Sequence, residues 1–304
     1  MRKYKDIDYM PLKPKGSTFD RRIGPLDWVL LVILGIYALL IIYPFYNALL
    51  ISLSPEEVYL NRPFLLWLNF DEITFANYQL VFSNDRLWSG FRVTLLLLVA
   101  GTLYQLFFTV ITGYALSRSK WFGKNFVMNM ILVTMFFGGG LIPYYVLIKN
   151  LGLYNKIWVM IIPGAIDTYN MLLMRNYFAS LPPDMEESAK IDGANDIQIF
   201  LHVYLPMSLP MLATVGLFFA VGNWNSWYNA LLFIEEPSYK PLQLVLREMI
   251  KTSSSNIDDL GQTETFSEGL TMASIFFSIV PMMMFYPFLQ RFFVKGLVVG
   301  AIKG

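Results

Sequence analysis

The sequence lacks several residue types on which soluble enzymes depend. It contains no Cys and a single His, His202, in 304 residues. Disulfides, thiolate metal sites and Cys nucleophiles are therefore excluded, and a His-based metal site or catalytic triad is disfavoured. Charged residues are also scarce, at 15%, and the formal net charge of +1 gives no indication of a nucleic-acid-binding surface.

Apolar residues dominate instead. They make up 56% of the chain, and the mean hydropathy is +0.49, which fits a protein surrounded mostly by lipid. Six segments approach the length of about 20 residues that a bilayer-spanning helix needs, and only the fourth contains a charge, Asp167. They are Trp28–Leu50, Val93–Leu116, Phe126–Ile148, Ile157–Leu173, Met207–Phe233 and Gly269–Leu289. The sequence therefore predicts an all-α integral membrane protein with six transmembrane helices.

The basic residues predict how these helices are oriented. The first 27 residues carry several Lys and Arg without an apolar core, which is typical of a cytoplasmic tail and not of a signal peptide. With the N-terminus inside, most of the 23 Lys and Arg residues fall on the inner side, so both termini are predicted to be cytoplasmic. The predicted division is a tail at 1–27, a six-helix domain at 28–290 with outer loops at about 51–92 and 234–268 and an inner loop at 181–206, and a C-terminal tail at 291–304.

The inner loop 181–206 reads LPPDMEESAKIDGANDIQIFLHVYLP, and local rules divide it into two helices. Acidic residues after Pro183 favour a first helix, which Gly193 ends. Asn195 or Asp196 can cap a second helix, which Pro206 stops. The apolar face of this second helix is Ile197, Phe200, Leu201 and Tyr204, at helical spacing. Such an exposed face usually needs a partner.

The same loop carries a recognisable motif. Glu187-Ser188-Ala189, three residues, Gly193, nine residues and Val203-Tyr204-Leu205-Pro206 resemble the EAA loop of ABC importer permeases, written EAA-x3-G-x9-I-x-LP. Ser188 and Val203 are mild departures, and Asp192-Gly193-Ala194 matches the DGA form common in sugar permeases. With spans two to six and the segment 222–229, the chain is similar to carbohydrate-uptake permeases of the subgroup that handles complex oligosaccharides.

The resemblance implies a type I ABC importer permease fold in a bacterial cytoplasmic membrane. In that family two permease subunits, often different chains, lie above two ATPase subunits, and an extracytoplasmic binding protein delivers the sugar. ATP and Mg would bind to the partner ATPase, and no cofactor would bind to this non-catalytic chain. A G-x4-G-K-[ST] phosphate loop is indeed missing from the sequence. Closure of the ATPase dimer would rock the permease helices between inward-facing and outward-facing states.

The resemblance also assigns roles within the loop. Glu187 would make the polar contact with the ATPase, Gly193 would set the bend, and Ile197 and Phe200 would fill the apolar part of the ATPase cleft. The full predicted coupling set is Glu187, Ser188, Ala189, Asp192, Gly193, Ala194, Ile197, Phe200, Leu205 and Pro206. The alternative for this loop is an ordinary amphipathic segment on the membrane surface.

Candidate residues for the sugar path lie in spans four and five. Aromatic faces stack on sugar rings and amides bind hydroxyls, so the cluster in span five could line the path, or it could serve helix packing and an interfacial aromatic belt. Asp167 could bind sugar hydroxyls, or it could be paired with Tyr169, Asn170 or a neighbouring subunit near a helix broken at Pro163 and Gly164. The predicted path residues are Asn223, Trp224, Asn225, Trp227, Tyr228, Asn229 and Asp167.

The second outer loop contains one more helical pattern. Leu242, Val245, Leu246, Met249 and Ile250 are spaced to share one helix face. That face could lie on the membrane surface, whereas the resemblance implies that this outer loop touches the binding protein.

Two other classes of membrane protein fit the sequence less well than the importer does. An ion-coupled secondary transporter should show inverted repeats and intramembrane acids, yet no repeat is evident and Asp167 stands alone. A membrane enzyme would need clustered His, Asp or Glu, which the sequence does not offer. The ATP-driven importer is therefore the favoured interpretation.

We expect Glu187→Lys to abolish transport while the protein still inserts into the membrane, because the substitution reverses a charge in the loop and leaves every span intact. The measurement is growth of a deletion strain on the saccharide for which the wild-type chain restores growth, with immunoblots of membrane fractions as the control. Normal growth of the variant would contradict a coupling role for Glu187.

Overall fold

The computed structural model describes residues 24–62, 65–118, 122–254 and 267–301, and every regular element in these ranges is helical. The predicted tail 1–27 lies outside the described residues as far as residue 23. The α-helices are α1 (Pro25–Ser52), α2 (Glu56–Asn61), α3 (Ala76–Ser83), α4 (Asp85–Leu96), α5 (Thr102–Arg118), α6 (Lys124–Phe136), α7 (Leu141–Asn150), α8 (Thr168–Ser180), α9 (Asp184–Ile191), α10 (Asp196–Ile199), α11 (Leu205–Met207), α12 (Leu209–Trp224), α13 (Tyr228–Phe233), α14 (Leu242–Ser254) and α15 (Glu268–Ala301). Contacts divide the chain into the units Met1–Ala48 and Leu49–Gly304.

Short turns extend several of these helices. Tight 3-10 turns occur at Phe70–Glu72, Ile157–Met160, Ile162–Gly164 and Pro237–Tyr239. Wider π turns at Leu97–Gly101 and Phe200–Tyr204 connect α4 to α5 and α10 to α11. Because the π turns keep the helical hydrogen bonding going, α4 and α5 form one long rod from Asp85 to Arg118.

Both single helices and bent helix pairs in this chain are long and apolar enough to cross a membrane. α1 and the Asp85–Arg118 rod are each long and apolar enough to cross a membrane. Three bent pairs also qualify if each counts as one span: α6 with α7, Ile157–Gly164 with α8, and Asp196–Met207 with α12. The described apolar part of α15, Glu268–Met284, is shorter. The all-helical prediction is confirmed for the described residues, whereas the count of six stays a prediction.

The helix limits differ from the predicted apolar segments at two places. The third segment, Phe126–Ile148, is not one continuous helix, because α6 and α7 are bent by 117° around the glycines at 138–140. Gly139 and Gly140 have φ of +70° and +88°, a left-handed conformation that an α-helix cannot contain. The last helix continues to Ala301, beyond the predicted start of a tail at 291. Hydropathy locates apolar stretches, not the limits of hydrogen bonding.

The apolar face of helix α14, in the second predicted outer loop, is buried inside the protein. Leu242, Val245, Leu246 and Met249 are buried in a cluster with residues of α3, α4 and α15, whereas Ile250 is 42% exposed and does not share that face fully. The amide of Leu242 donates to the Thr94 hydroxyl at 2.9 Å. The membrane-surface interpretation of this face is therefore wrong for its four buried members, whereas contact of the loop with a binding protein stays a prediction.

The helix pair α5 and α8 makes a close backbone approach at Gly113. A Cβ atom at this position would lie 3.0 Å from the Cβ of Met174 and 3.3 Å from the amide nitrogen of Arg175. Around this contact, the two helices share a buried cluster with α12 and the inner loop: Val110, Met174, Phe178, Ile199, Tyr204, Met211, Val215 and Phe219. The fold thus places the inner loop directly against the α5–α8 pair.

We expect Gly113→Leu to destabilise the chain by about 1–3 kcal/mol, the usual cost of overpacking, because backbone on α8 cannot give way. Gly35→Leu is the matched control, since nothing lies within 4 Å of a Cβ there. Thermal unfolding of both variants in the same detergent would measure the difference. Equal midpoints would contradict the close-contact interpretation.

Candidate functional site

The first helix of the inner loop, α9, begins where the sequence places acidic residues. Asp184, Glu186 and Glu187 occupy its first turn, where negative charge favours the helix dipole, and Lys190 occupies its last turn. The Ser188 hydroxyl donates to the carbonyl of Asp184 at 2.8 Å. These interactions are local, which explains why local rules predicted this helix.

The turn after α9 is built around Gly193, as predicted. Gly193 has φ of +85°. Its amide donates to the Lys190 carbonyl at 3.0 Å, and the Ala194 amide donates to the Ala189 carbonyl at 2.9 Å. This pair of bonds is a Schellman motif, which requires a left-handed residue at the glycine position.

The second loop helix is capped by Asn195 and ends next to Pro206, as predicted. The Asn195 side chain accepts from the Gln198 amide at 2.9 Å, and the Gln198 side chain accepts from the Asn195 amide at 2.9 Å. This capping box decides between Asn195 and Asp196 as the cap. Pro206, the predicted stop, is followed by one more helical residue, Met207. The chain then bends by 78° at Ser208 into α12.

The predicted coupling residues separate into an outward and an inward set. Glu187, Ser188, Asp192, Gly193, Ile197 and Pro206 are exposed, whereas Ala189, Ala194, Phe200 and Leu205 are half-buried against the cluster shared with α5 and α8. The half-buried ring of Phe200 packs 4.7 Å from that of Tyr114 on α5, and its contact with an ATPase stays a prediction. The predicted exposed face loses Tyr204, which is 1% exposed.

The exposed apolar surface of the loop includes a residue that sequence reasoning missed. Ile191, the last residue of α9, is 86% exposed, and Ile197 is 70% exposed. Both flank the Gly193 turn. A hydrophobic residue directly before an Asp-Gly turn on an otherwise polar helix is a signal that the sequence contained.

An internal network fixes the loop against the membrane helices. The Tyr204 hydroxyl donates to Glu186 at 3.1 Å, and the ammonium group of Lys190 lies 2.7 Å from the other carboxylate oxygen of Glu186. The hydrogen bond from Lys190 is the main cause that lowers the pKa of Glu186, while burial raises the pKa of Tyr204 to about 12. At neutral pH the carboxylate is therefore ionised and the phenol is protonated, as this hydrogen bond requires.

A polar cleft of about 390 Å³ lies between α5, α8 and α12. This volume is within the range of small-molecule sites. Its walls combine amide, hydroxyl and carboxylate groups with apolar side chains: Gln105, Met160, Gly164, Ile166, Asp167, Asn170, Phe218, Phe219, Gly222, Asn223, Ser226 and Asn229. Of the predicted path residues, the cleft brings together Asp167, Asn223 and Asn229.

Asn223 connects two walls of this cleft. Its amide nitrogen donates to Thr102 at 3.1 Å and to Gln105 at 2.9 Å, both on α5. Its side chain fits against Gly101, where a Cβ would lie 3.0 Å from that nitrogen. Asn223 therefore has a packing role as well as a position in the cleft, and its role in a sugar path stays a prediction.

Asp167 begins a helix and does not interrupt one. Its side chain accepts from the Asn170 amide at 2.8 Å and caps α8, after the break at Pro163 and Gly164. The Asn170 side-chain oxygen is buried without a hydrogen-bond partner in the described residues. The local pairing foreseen for Asp167 is thus present, and Asn170 adds an open acceptor to the cleft that sequence reasoning had considered only as a partner of Asp167.

The other four predicted path residues lie elsewhere. Trp224 and Asn225 line a separate groove of about 310 Å³ with residues of α14 and α15. Trp227 packs under the guanidinium of Arg247, 3.9 Å from its ring centroid, and Tyr228 is 50% exposed. The side chains of residues 223–229 point in several directions, because α12 ends at Trp224 and α13 begins at Tyr228.

The described residues contain no group of three or more His, Asp or Glu side chains that could hold a metal ion. His202 is exposed and its Nδ1 lies 3.1 Å from the Gln198 carbonyl.

Comparisons with known proteins agree with this arrangement. Residues 23–299 match the family described as "Binding-protein-dependent transport system inner membrane component". Protein LplC of Bacillus subtilis is 36% identical, over 90% of this chain and 93% of LplC. The polygalacturonan/rhamnogalacturonan transport system permease protein YtcP of the same organism is 34% identical, over 91% of this chain and 98% of YtcP.

A solved structure is also similar. It comes from a bacterial ABC transporter involved in the import of the acidic polysaccharide alginate, and it shares 33% sequence identity with this chain. The TM-score is 0.79, and the match covers 92% of this chain and all of the other chain. At this identity and score, the similarity confirms the permease fold.

We expect Gly193→Val to impair growth on the transported saccharide far more than Gly193→Asn. The surrounding space is open, so only the left-handed backbone matters. That conformation costs an ordinary residue about 1–2 kcal/mol and Asn less. The measurement is growth of complemented deletion strains at equal membrane levels. Equal defects in both variants would show that the glycine serves contact with a partner and not the turn.

Proposed function

Because this chain belongs to the family of inner membrane components of binding-protein-dependent transport systems, we propose that it is a permease subunit of an ATP-driven importer for an oligosaccharide. Support for the substrate class comes from the relatives, whose names specify polygalacturonan and rhamnogalacturonan transport and alginate import. The chain forms part of the translocation pathway. ATP and Mg bind to a separate ATPase, and this subunit is not itself an enzyme.

The observation that carries the proposal is the structure of the inner loop. Its turn at Gly193 presents Glu187, Ile191 and Ile197 to the exterior, while its inner face packs on α5 and α8. A polar contact beside two exposed apolar side chains suits docking into a cleft on another protein. The loop is therefore the surface to which the ATPase binds. Of the ten residues predicted for coupling, the exposed ones contact the ATPase and the half-buried ones support the loop from inside.

Six spans and two cytoplasmic termini complete the proposed topology. α1, the α4–α5 rod, α6 with α7, the turns at 157–164 with α8, α12 with α13, and α15 each supply one span. In this arrangement the inner loop and the basic termini share the cytoplasmic side.

The complete transporter in this proposal contains a second permease, most simply a different chain, two ATPase subunits and an extracytoplasmic binding protein. The polar cleft contributes to the sugar path. Its Asn170, Asn223, Ser226 and Asn229 offer amide and hydroxyl groups that suit sugar hydroxyls, and Asp167 adds a carboxylate acceptor. These groups are neutral apart from Asp167.

We expect the tagged chain, purified in mild detergent from its native host, to carry a second permease and two ATPase subunits. Hydrolysis of ATP by this complex should rise when a candidate binding protein loaded with an oligosaccharide is added. Mass spectrometry and an ATPase assay provide the readouts. A chain that purifies alone and shows ion-driven uptake would overturn the proposal in favour of a secondary transporter.

We expect Gly222→Leu to reduce uptake about tenfold or more, because the new side chain enters the cleft where nothing lies within 4 Å of a Cβ, and displaces polar contacts worth about 1 kcal/mol each. Gly35→Leu is the matched control. Uptake of the radiolabelled saccharide that the binding protein delivers is compared at equal amounts of complex. Unchanged uptake by the Gly222 variant would remove this cleft from the path.

A further inference from the structure

Arg118, the last residue of α5, contacts the end of α8, the segment that follows it and the ring of Tyr204. Its terminal guanidinium nitrogen Nη2 donates to the carbonyl of Phe178 at 2.7 Å and to that of Leu181 at 2.6 Å. Its Cζ atom lies 4.8 Å from the centroid of the Tyr204 ring. One side chain thus touches the end of α8, the segment before α9, and the second loop helix.

The contact with α8 has a clear physical basis. The last carbonyls of a helix have no partner within the helix, and positive charge is favourable at that end. Hydrogen bonds from a charged donor are stronger than those between neutral groups. Arg118 therefore acts as a cap for α8 that is supplied by a different transmembrane helix.

The contact with Tyr204 extends the connection to α9. The cation lies over a ring that is 1% exposed, where a cation–π interaction is strengthened by desolvation. The hydroxyl of the same ring donates to Glu186 on α9 at 3.1 Å. Glu186 therefore faces the interior of the loop, whereas its neighbour Glu187 is exposed. Both loop helices are thus connected to α5 through Arg118 and Tyr204.

We propose that Arg118 is the positioning residue that transmits movement of the inner loop to the transmembrane helices, by holding α5, the end of α8 and the Tyr204–Glu186 pair together as one body. This inference rests on the proposed function, because the movement originates at the ATPase. Without Arg118, the ATPase still docks on the outward set around Gly193. The loop then moves without carrying α5 along.

The first test compares transport with ATP consumption in the complete complex, reconstituted in liposomes with the loaded binding protein. Arg118→Gln loses the charge, and Tyr204→Phe loses only the bond to Glu186. Ser117→Ala is the matched control, because its hydroxyl bonds to the Tyr114 carbonyl within α5. We expect Arg118→Gln to lower the number of sugars transported per ATP by about tenfold, Tyr204→Phe to lower it less, and Ser117→Ala to leave it unchanged.

The second test measures rigidity directly and uses the absence of cysteine. Cysteines introduced at Met185 on α9 and Ile111 on α5, which are 44% and 43% exposed, can be spin-labelled without background. In the otherwise wild-type complex, the distance distribution between these labels should stay narrow with ATP and with trapped ADP-vanadate. In Arg118→Gln it should broaden or shift between the two states.

Several outcomes would overturn the inference. An unchanged ratio of transport to hydrolysis in Arg118→Gln, or an unchanged distance distribution, contradicts transmission through this residue. A parallel loss of assembly, hydrolysis and transport in both Arg118→Gln and Tyr204→Phe would assign the network to folding alone. If only Arg118→Gln fails to assemble, the number of sugars transported per ATP in Tyr204→Phe decides, and an unchanged number contradicts the inference. Failure of the proposed function is distinct, because the unsubstituted chain would then bind no ATPase.

Discussion

The close packing of α5 on α8 is the contact on which both functional regions depend. Gly113 allows the two backbones to approach, so that Val110, Met174 and Phe178 close a buried cluster around them. The inner loop follows directly from α8 and packs on the same cluster. The polar cleft opens between the same two helices and α12. A change in the distance between α5 and α8 would therefore reach the loop and the cleft together.

α12 connects the two regions along the chain. At one end it is joined to the second loop helix by the 78° bend at Ser208, and near the other end it presents Gly222 and Asn223 to the cleft. Because α12 is attached to the inner loop, a displacement of that loop would be carried toward the cleft. This geometry suits rigid-body alternation, in which packed elements have two discrete arrangements and little bending between them.

Breaks in the helices occur where polar function is concentrated. The interruption at Pro163 and Gly164 frees the start of α8, so that Asp167 caps the helix and faces the cleft, and the gap between α12 and α13 turns Asn229 into the same cleft. Backbone groups exposed by such breaks need polar surroundings in a membrane. Discontinuous helices therefore bring hydrogen-bonding groups to membrane depth, while the apolar exterior is kept.

The sequence by itself determined the helical class, most of the apolar segments, the two loop helices and the turn at Gly193. These features follow from composition, from periodicity and from capping between residues a few positions apart, as in the Schellman motif at Gly193 and the capping box at Asn195. Motif spacing also identified the family through the loop. None of these signals requires knowledge of which helices are neighbours.

Only the tertiary structure decided which side chains face a cleft, a partner or the core. It directed Phe200 and Tyr204 inward, left Ile191 outside, buried the apolar face of α14, and separated Asn223 and Asn229 from Trp224 and Asn225. It also joined Arg118 to residues about 60 to 86 positions away in sequence. The reason is physical: an apolar helix in lipid is hydrophobic on every side, so its pattern carries little information about which side meets protein.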